Sequence, residues 1–318
     1  MGTFLDEITE GQRERELMQL VREQKITPEE LERVIVPFPI KIQIQTASPC
    51  NAACVMCPWP DTKKTLPQGR MSEELFEKLV LQLVGRKVER TSLFLMNEPM
   101  LDKRLARFTR FVKKHLPETA TVIYTNGELL TAEKAIDLAE AGMDEINVSV
   151  VGFDRAGYEN IMKGIDYDVV MANLDAVGAL ARAGKLGKTA VRIVGLEFDE
   201  AVRGMAEFEA RTGLEVLLKQ VTTRAGLIDL DELGIERKID PRFRACQRPF
   251  VKAYVLYNGD LVLCNCDWER VTVMGNVGVT PLSELWVGAQ LSQIRREHLL
   301  QKLTPGSLCA KCDYPFLP

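Results

Sequence analysis

The stretch Ser48-Pro-Cys-Asn-Ala-Ala-Cys-Val-Met-Cys-Pro-Trp-Pro60 places Cys50, Cys54 and Cys57 within eight residues. It follows a β-prone run at 41–46, and outward from it a strand and helix rhythm sets in. Further strand-like runs fall at 91–96, 119–124, 144–150, 189–194 and 215–221. Helix-like segments fall between them at about 72–85, 102–116, 131–142, 168–184 and 199–212, with Ser72 and Thr131 as starts and Gly85 and Gly142 as stops. Alternating β and α segments imply a parallel sheet with right-handed crossovers. Six such units fall short of the eight of a closed barrel, so the expected core is an α/β fold, a partial (β/α)6 parallel barrel over residues 40–240. In such folds the loops after the strand C-termini carry the site, and the cysteine triad lies on the first of them.

Composition narrows the function. Hydrophobic residues make up 46% and charged residues 27% of the 318, and the net charge is −4. That balance gives no electrostatic footprint for nucleic acid or an anionic membrane. No apolar run approaches the roughly 20 residues that span a bilayer, and the polar, charged N-terminus is not a targeting peptide. The expected location is therefore the cytoplasm, where thiols stay reduced and clustered cysteines bind metal or do chemistry. Residues 1–39 are expected to form a helical arm, with Thr27 and Glu30 set to form a capping box.

The eight cysteines fall in two groups separated by a long cysteine-free middle: 50, 54 and 57, then 246, 264, 266, 309 and 312. After residue 240 the rhythm breaks. Asn258-Gly259 between two β-prone runs signals a hairpin, a helix is expected over about 281–300, and a Cys-x2-Cys pair ends the chain. Residues 241–318 thus read as a small cysteine-dependent extension. His115 and His298, the two histidines, lie in charged helical segments and read as solvated surface residues. Zinc usually takes four ligands, whereas three thiolates in one loop suit a [4Fe-4S] cluster with one open iron.

Cys-x3-Cys-x2-Cys after the first strand of a partial α/β barrel resembles the radical S-adenosylmethionine (SAM) superfamily. The resemblance implies that the open iron chelates SAM, and that an electron from the cluster cleaves SAM to a 5′-deoxyadenosyl radical that abstracts a substrate hydrogen atom. It further implies that Met56 contacts adenine. Met96-Asn97-Glu98-Pro99 stands where relatives carry Gly-Gly-Glu, so Glu98 with Asn97 would meet the SAM amino group. Thr125, Asn126 and Ser149 would approach the ribose or the methionine part, and Arg192 or Arg224 could pair with the SAM carboxylate. The C-terminal cysteines resemble the twitch form of the SPASM extension, in which Cys246, Cys264, Cys309 and Cys312 would hold an auxiliary [4Fe-4S] cluster; a four-cysteine zinc site is the alternative.

Cys266 is then left over. It is an inert thiol, a cluster ligand in place of a neighbour, or a hydrogen-atom donor to a substrate radical. The donor reading makes the protein an epimerase of a polar small molecule, a sugar or aminocyclitol. The alternatives are a dehydrogenase using the auxiliary cluster, a sugar-acid decarboxylase and, from another class, a non-catalytic metal-binding protein. The expected partners are a small-molecule substrate and a flavodoxin- or ferredoxin-type electron donor. With no leader-binding segment expected ahead of the barrel, a ribosomal peptide substrate is disfavoured.

Overall fold

A computed structural model describes residues 19–21, 23, 25–27, 29–30, 37–236, 239–242 and 245–317. Six parallel strands alternate with helices, as the rhythm predicts. In chain order these are β1 (Lys41–Ile44), α1 (Glu73–Leu81), β2 (Arg90–Ser92), α2 (Leu105–His115), β3 (Ala120–Thr125), α3 (Ala132–Glu140) and β4 (Glu145–Ser149). They continue with α4 (Arg155–Ile161), α5 (Tyr167–Arg182), β5 (Ala190–Leu196), α6 (Met205–Thr212) and β6 (Val216–Lys219). The predicted starts are used: Ser72 Oγ accepts from Leu75 N, and Thr131 Oγ1 from Lys134 N. Helix α4, capped by Asp154 Oδ1 accepting from Gly157 N, is an additional element between β4 and α5. The helix expected over 199–212 is broken at Gly204, whose φ of 78° is left-handed.

The sheet does not stop at these six strands. β7 (Lys252–Val255), β8 (Asp260–Val262) and β9 (Val273–Asn276) extend it in the order β6-β5-β4-β3-β2-β1-β7-β8-β9. β7 pairs parallel with β1, and the hairpin β7–β8 turns at Gly259 with φ of 91°. The C-terminal segment therefore shares a sheet with the barrel. It ends in α7 (Leu282–Trp286) and α8 (Ala289–Leu300), so the helix expected over 281–300 is interrupted at Gly288.

Helices cover the convex face of the sheet, where Ile42, Ile44, Ile146, Val148 and Ile193 are fully buried. The concave face is polar. The sheet curls so far that Lys219, on β6, donates from Nζ to Tyr124 Oη at 2.7 Å. Beyond β6, Thr223 N donates to Asp313 Oδ2 at 2.8 Å, so the last barrel loop touches the C-terminal cysteine pair. Of the N-terminal arm only fragments are among the described residues; there the Thr27–Glu30 capping box is formed in both directions. No described helix is long and apolar enough to cross a membrane.

Candidate active site

The triad loop leaves β1 and is stitched down by backbone. Ala53 N donates to Lys163 O at 2.7 Å and Val55 N to Ile161 O at 3.0 Å, while Trp59 Nε1 donates to Cys50 O at 3.2 Å. Met56, expected beside adenine, is packed in the main core. Burial pushes the Cys50 and Cys54 thiols up to about 12, with the neighbouring cysteines and, for Cys50, Glu98 adding to it. Burial raises Cys57 too, opposed by the Arg224 guanidinium. Three thiols so placed ionise only if a cationic centre replaces the lost water. Among the described residues no three side chains converge on a point that one ion could fill.

Glu98 is held at the ends of two strands. Its backbone N donates to Pro49 O at 3.0 Å, beside Cys50. Its carboxylate accepts from Met100 N at 2.9 Å, Thr125 Oγ1 at 2.7 Å and Asn126 N at 2.7 Å. Burial lifts its pKa to about 7 against those three donors. The segment that replaces the two glycines keeps a glycine-like backbone: Met96 has φ of 54°. Asn97 Oδ1 accepts from Leu95 N at 2.8 Å, and its Nδ2 is buried without a partner among the described residues, as is Asn147 Nδ2 on the concave face of β4. Orphaned buried donors cost free energy unless a ligand accepts from them, so the residues present fit a bound polar cofactor. Asn126 Nδ2 reaches Asn51 Oδ1 at 2.8 Å and ties the triad loop to the end of β3. Ser149 ends β4, on the same side.

Arg192 is not part of this cluster. Its guanidinium lies 3.6 Å from Glu145 and 3.3 Å from Glu215, and Glu145 also takes Arg90 at 2.8 Å. Those carboxylates sit where their strands begin, so Arg192 closes an ion network away from the strand C-termini. Arg224 occupies the loop after β6 with φ of 52°, followed by Ala225 at 61°. Its positive charge opposes the effect of burial on Cys57 and favours the Cys266 thiolate.

The second group surrounds a cavity lined by Cys246, Cys264, Cys266, Cys309 and Cys312 together with Arg248 and His298. Asp267 closes the loop that carries the middle cysteines, accepting from Val271 N at 2.8 Å and Thr272 N at 3.0 Å. Cys266, 1% exposed, turns its sulfur to the Cys264 and Cys312 thiols, with Arg248 Nη1 at 3.2 Å. Those two thiols, then Arg248, favour its thiolate. Five sulfurs thus compete for a site that takes four. His298 corrects the surface expectation: it is 1% exposed, its Nδ1 faces Cys246 N at 3.4 Å, and burial lowers its pKa to about 4. A charged helix hid it because only one face of α8 packs against the segment around Cys246 and Pro249. His115 is half-exposed at the end of α2, with Nδ1 3.0 Å from Phe111 O and its ring 4.3 Å from the Phe111 ring. Arg248 carries one sequence signal, its place two residues after Cys246.

A curled parallel sheet with one thiol triad at its mouth and a thiol-rich cavity beside it defines an iron–sulfur enzyme with two metal sites. The family model of the Radical SAM superfamily matches residues 44–208, and that of an iron-sulfur cluster-binding domain, SPASM, matches 246–313. The chain belongs to the radical SAM superfamily, and its cofactors are [4Fe-4S] clusters and S-adenosylmethionine. It is 24% identical to the S-adenosyl-L-methionine-dependent 2-deoxy-scyllo-inosamine dehydrogenase of Niallia circulans, over 86% of this chain and 92% of that one. It is 30% identical to a GTP 3′,8-cyclase of Chlorobaculum tepidum over 42% of this chain and 39% of the cyclase. Among solved structures, BtrN in complex with AdoMet and 2-DOIA superposes with a TM-score of 0.59 at 20% identity, over 87% of this chain and 93% of that one. Streptococcus suis SuiB bound to precursor peptide SuiA gives 0.67 at 16%, over 94% and 74%.

Proposed function

We propose that this radical SAM enzyme is a dehydrogenase that oxidises a ring alcohol of a sugar or cyclitol to a ketone, rather than an epimerase. The observation that carries the reading is the setting of Cys266: its sulfur is drawn in among Cys264, Cys312 and Arg248. A hydrogen-atom donor needs a free S–H directed at the substrate. The likeness to the inosamine dehydrogenase, along most of both chains, supports the same choice.

In this reading Cys50, Cys54 and Cys57 hold one cluster, and Cys246, Cys264, Cys309 and Cys312 the other. Glu98 and Asn97 receive the amino group of SAM, with Thr125, Asn126, Ser149 and Met56 around the rest and Arg224 for its carboxylate. When bound, the first cluster with SAM supplies hydrogen-atom abstraction, and the second supplies an acceptor for the remaining electron. The chain's own residues must hold the alcohol, exclude water and pass the hydroxyl proton outward. Asn147, with its unpartnered buried amide, and Tyr124, whose Oη accepts from Lys219, are the concave-face groups placed to hold a hydroxyl.

The test is turnover in heavy water by the anaerobically reconstituted protein and by Cys266→Ala. The substrates are 2-deoxy-scyllo-inosamine, myo-inositol, myo-inositol 1-phosphate and glucuronate. The expected result is a ketone with one 5′-deoxyadenosine per product, retained by the variant when its iron content matches the parent. An isomer of unchanged connectivity bearing one solvent deuterium, and lost in Cys266→Ala, would establish inversion instead.

A further inference from the structure

Among the described residues, Arg248 is the one side chain on the wall of the C-terminal cysteine cavity with a permanent charge. It stands two residues after Cys246, at the start of a single helical turn, Arg248–Val251. Its Nη1 donates toward Cys266 Sγ at 3.2 Å. Its guanidinium lies 4.1 Å over the ring of Tyr314, itself two residues after Cys312. Each of the three segments that bring cysteines to the cavity thus supplies one part of this contact: Arg248 near Cys246, Cys266 near Cys264, and Tyr314 near Cys312. Arg295 fixes the turn from behind, its Nε donating to Pro249 O at 2.8 Å.

No carboxylate pairs with Arg248 among the described residues, although it is half-buried; its polar contact there is the Cys266 sulfur. A half-buried guanidinium without a carboxylate needs its negative charge from elsewhere, and the cavity it faces is lined by thiols. A [4Fe-4S] cluster on four thiolates is an anion, and each electron it takes up adds a further negative charge. In a buried site a fixed cation on the wall favours the more negative state. Net charge and hydrogen bonds to the sulfurs accordingly set the potential of such clusters. If Cys266 is itself a ligand, the N–H toward its sulfur acts in the same direction.

We propose that Arg248 is the built-in counter-charge of the auxiliary cluster, held in place by Cys266 and Tyr314, and that it raises the potential at which the cluster accepts an electron. This deepens the dehydrogenase reading and rests on it for the origin of that electron, but its test needs no turnover. When a ring alcohol is oxidised, the carbon-bound hydrogen leaves to the adenosyl radical and the hydroxyl proton to water, and one electron remains. Arg248 makes the auxiliary site the easier place for it.

The measurement is an anaerobic redox titration, followed by electron paramagnetic resonance, of the reconstituted full chain with SAM. The auxiliary signal is the one that persists when Cys50, Cys54 and Cys57 are all replaced by alanine. Arg248→Met should make its reduction at least about tenfold less favourable, a midpoint lower by about 59 mV for one electron. Arg248→Lys keeps the charge and should recover most of that shift. A midpoint unchanged in Arg248→Met at matched iron content would overturn the proposal, as would equal midpoints in Arg248→Lys and Arg248→Met. If Arg248→Met loses the auxiliary iron, Arg248→Gln is read in its place. Should both neutral variants lose it, retention in Arg248→Lys supports the counter-charge, and loss in all three overturns it in favour of packing. A lowered midpoint in a protein that yields no ketone would sink the dehydrogenase reading alone. A ketone-forming protein whose midpoint ignores Arg248→Met would sink this proposal alone.

Discussion

At the scale of single residues, the ionic groups divide into those with partners and those held against their preference. Glu98 is buried but takes three hydrogen bonds, so its carboxylate is fixed at the mouth of the barrel. Among the described residues Lys252 has no such compensation, and burial, then the Arg248 and Lys41 charges, lower its pKa from 10.5 to about 8. The linkage sign follows from proton counts. Below about pH 8 folded and unfolded chains both carry the charge, and the folded state bears the full cost. Between about 8 and 10.5 the unfolded chain binds more protons, so stability rises with pH. Lys252→Met should therefore stabilise the protein by roughly 1–3 kcal/mol at pH 7, and by less at pH 9.5. Denaturant titrations at the two pH values check this, and a variant less stable than the parent at pH 7 would contradict it.

At the scale of elements, the triad loop depends on the turn between β4 and α5. Lys163 and Ile161 supply the carbonyls that hold Ala53 and Val55. Gly152 sets the entry to α4 with φ of 90°, and a Cβ there would stand 2.5 Å from the backbone of Gly157 and Tyr158. Gly152→Ala should displace α4 and with it the carbonyls under the triad, at a cost of about 3 kcal/mol or more from strain and overlap together. The measurement is melting temperature together with iron bound per chain. Unchanged iron loading would show that the loop holds itself.

At the scale of the whole molecule, the auxiliary half is built into the barrel. The proposed division near residue 240 separates two cysteine sites, while the sheet runs across it through the β1–β7 ladder. A chain ending at residue 245 would expose the edge of β1, where Ile42 and Ile44 are fully buried, and an uncovered edge invites aggregation. Such a truncation should fail to give a cooperative unfolding transition or to load iron at the triad. A soluble, cooperatively folding fragment with one intact cluster would overturn the claim that the two parts fold as one.

Much of this was legible in the chain. The spacing of Cys50, Cys54 and Cys57 after a strand, and the six-fold β/α rhythm, depend on local chemistry and on periodicity, which sequence records directly. So do Ser72, Thr131 and the Asn258-Gly259 turn, because caps and turns are satisfied within a few residues. What only tertiary structure decided are the properties set by distant neighbours. His298 is buried because one face of α8 packs against the segment around Cys246 and Pro249, and Arg192 is spent on Glu145 and Glu215. Cys266 lies among Cys264, Cys312 and Arg248, and Lys252 stands among cations because folding pairs β7 with β1 and so sets it beside Lys41. The sequence by itself determined the cofactor chemistry, since a thiolate's affinity for iron belongs to the side chain and its spacing. Which groups meet the substrate was decided by folding, since charge and burial are sums over neighbours that the order of residues does not list.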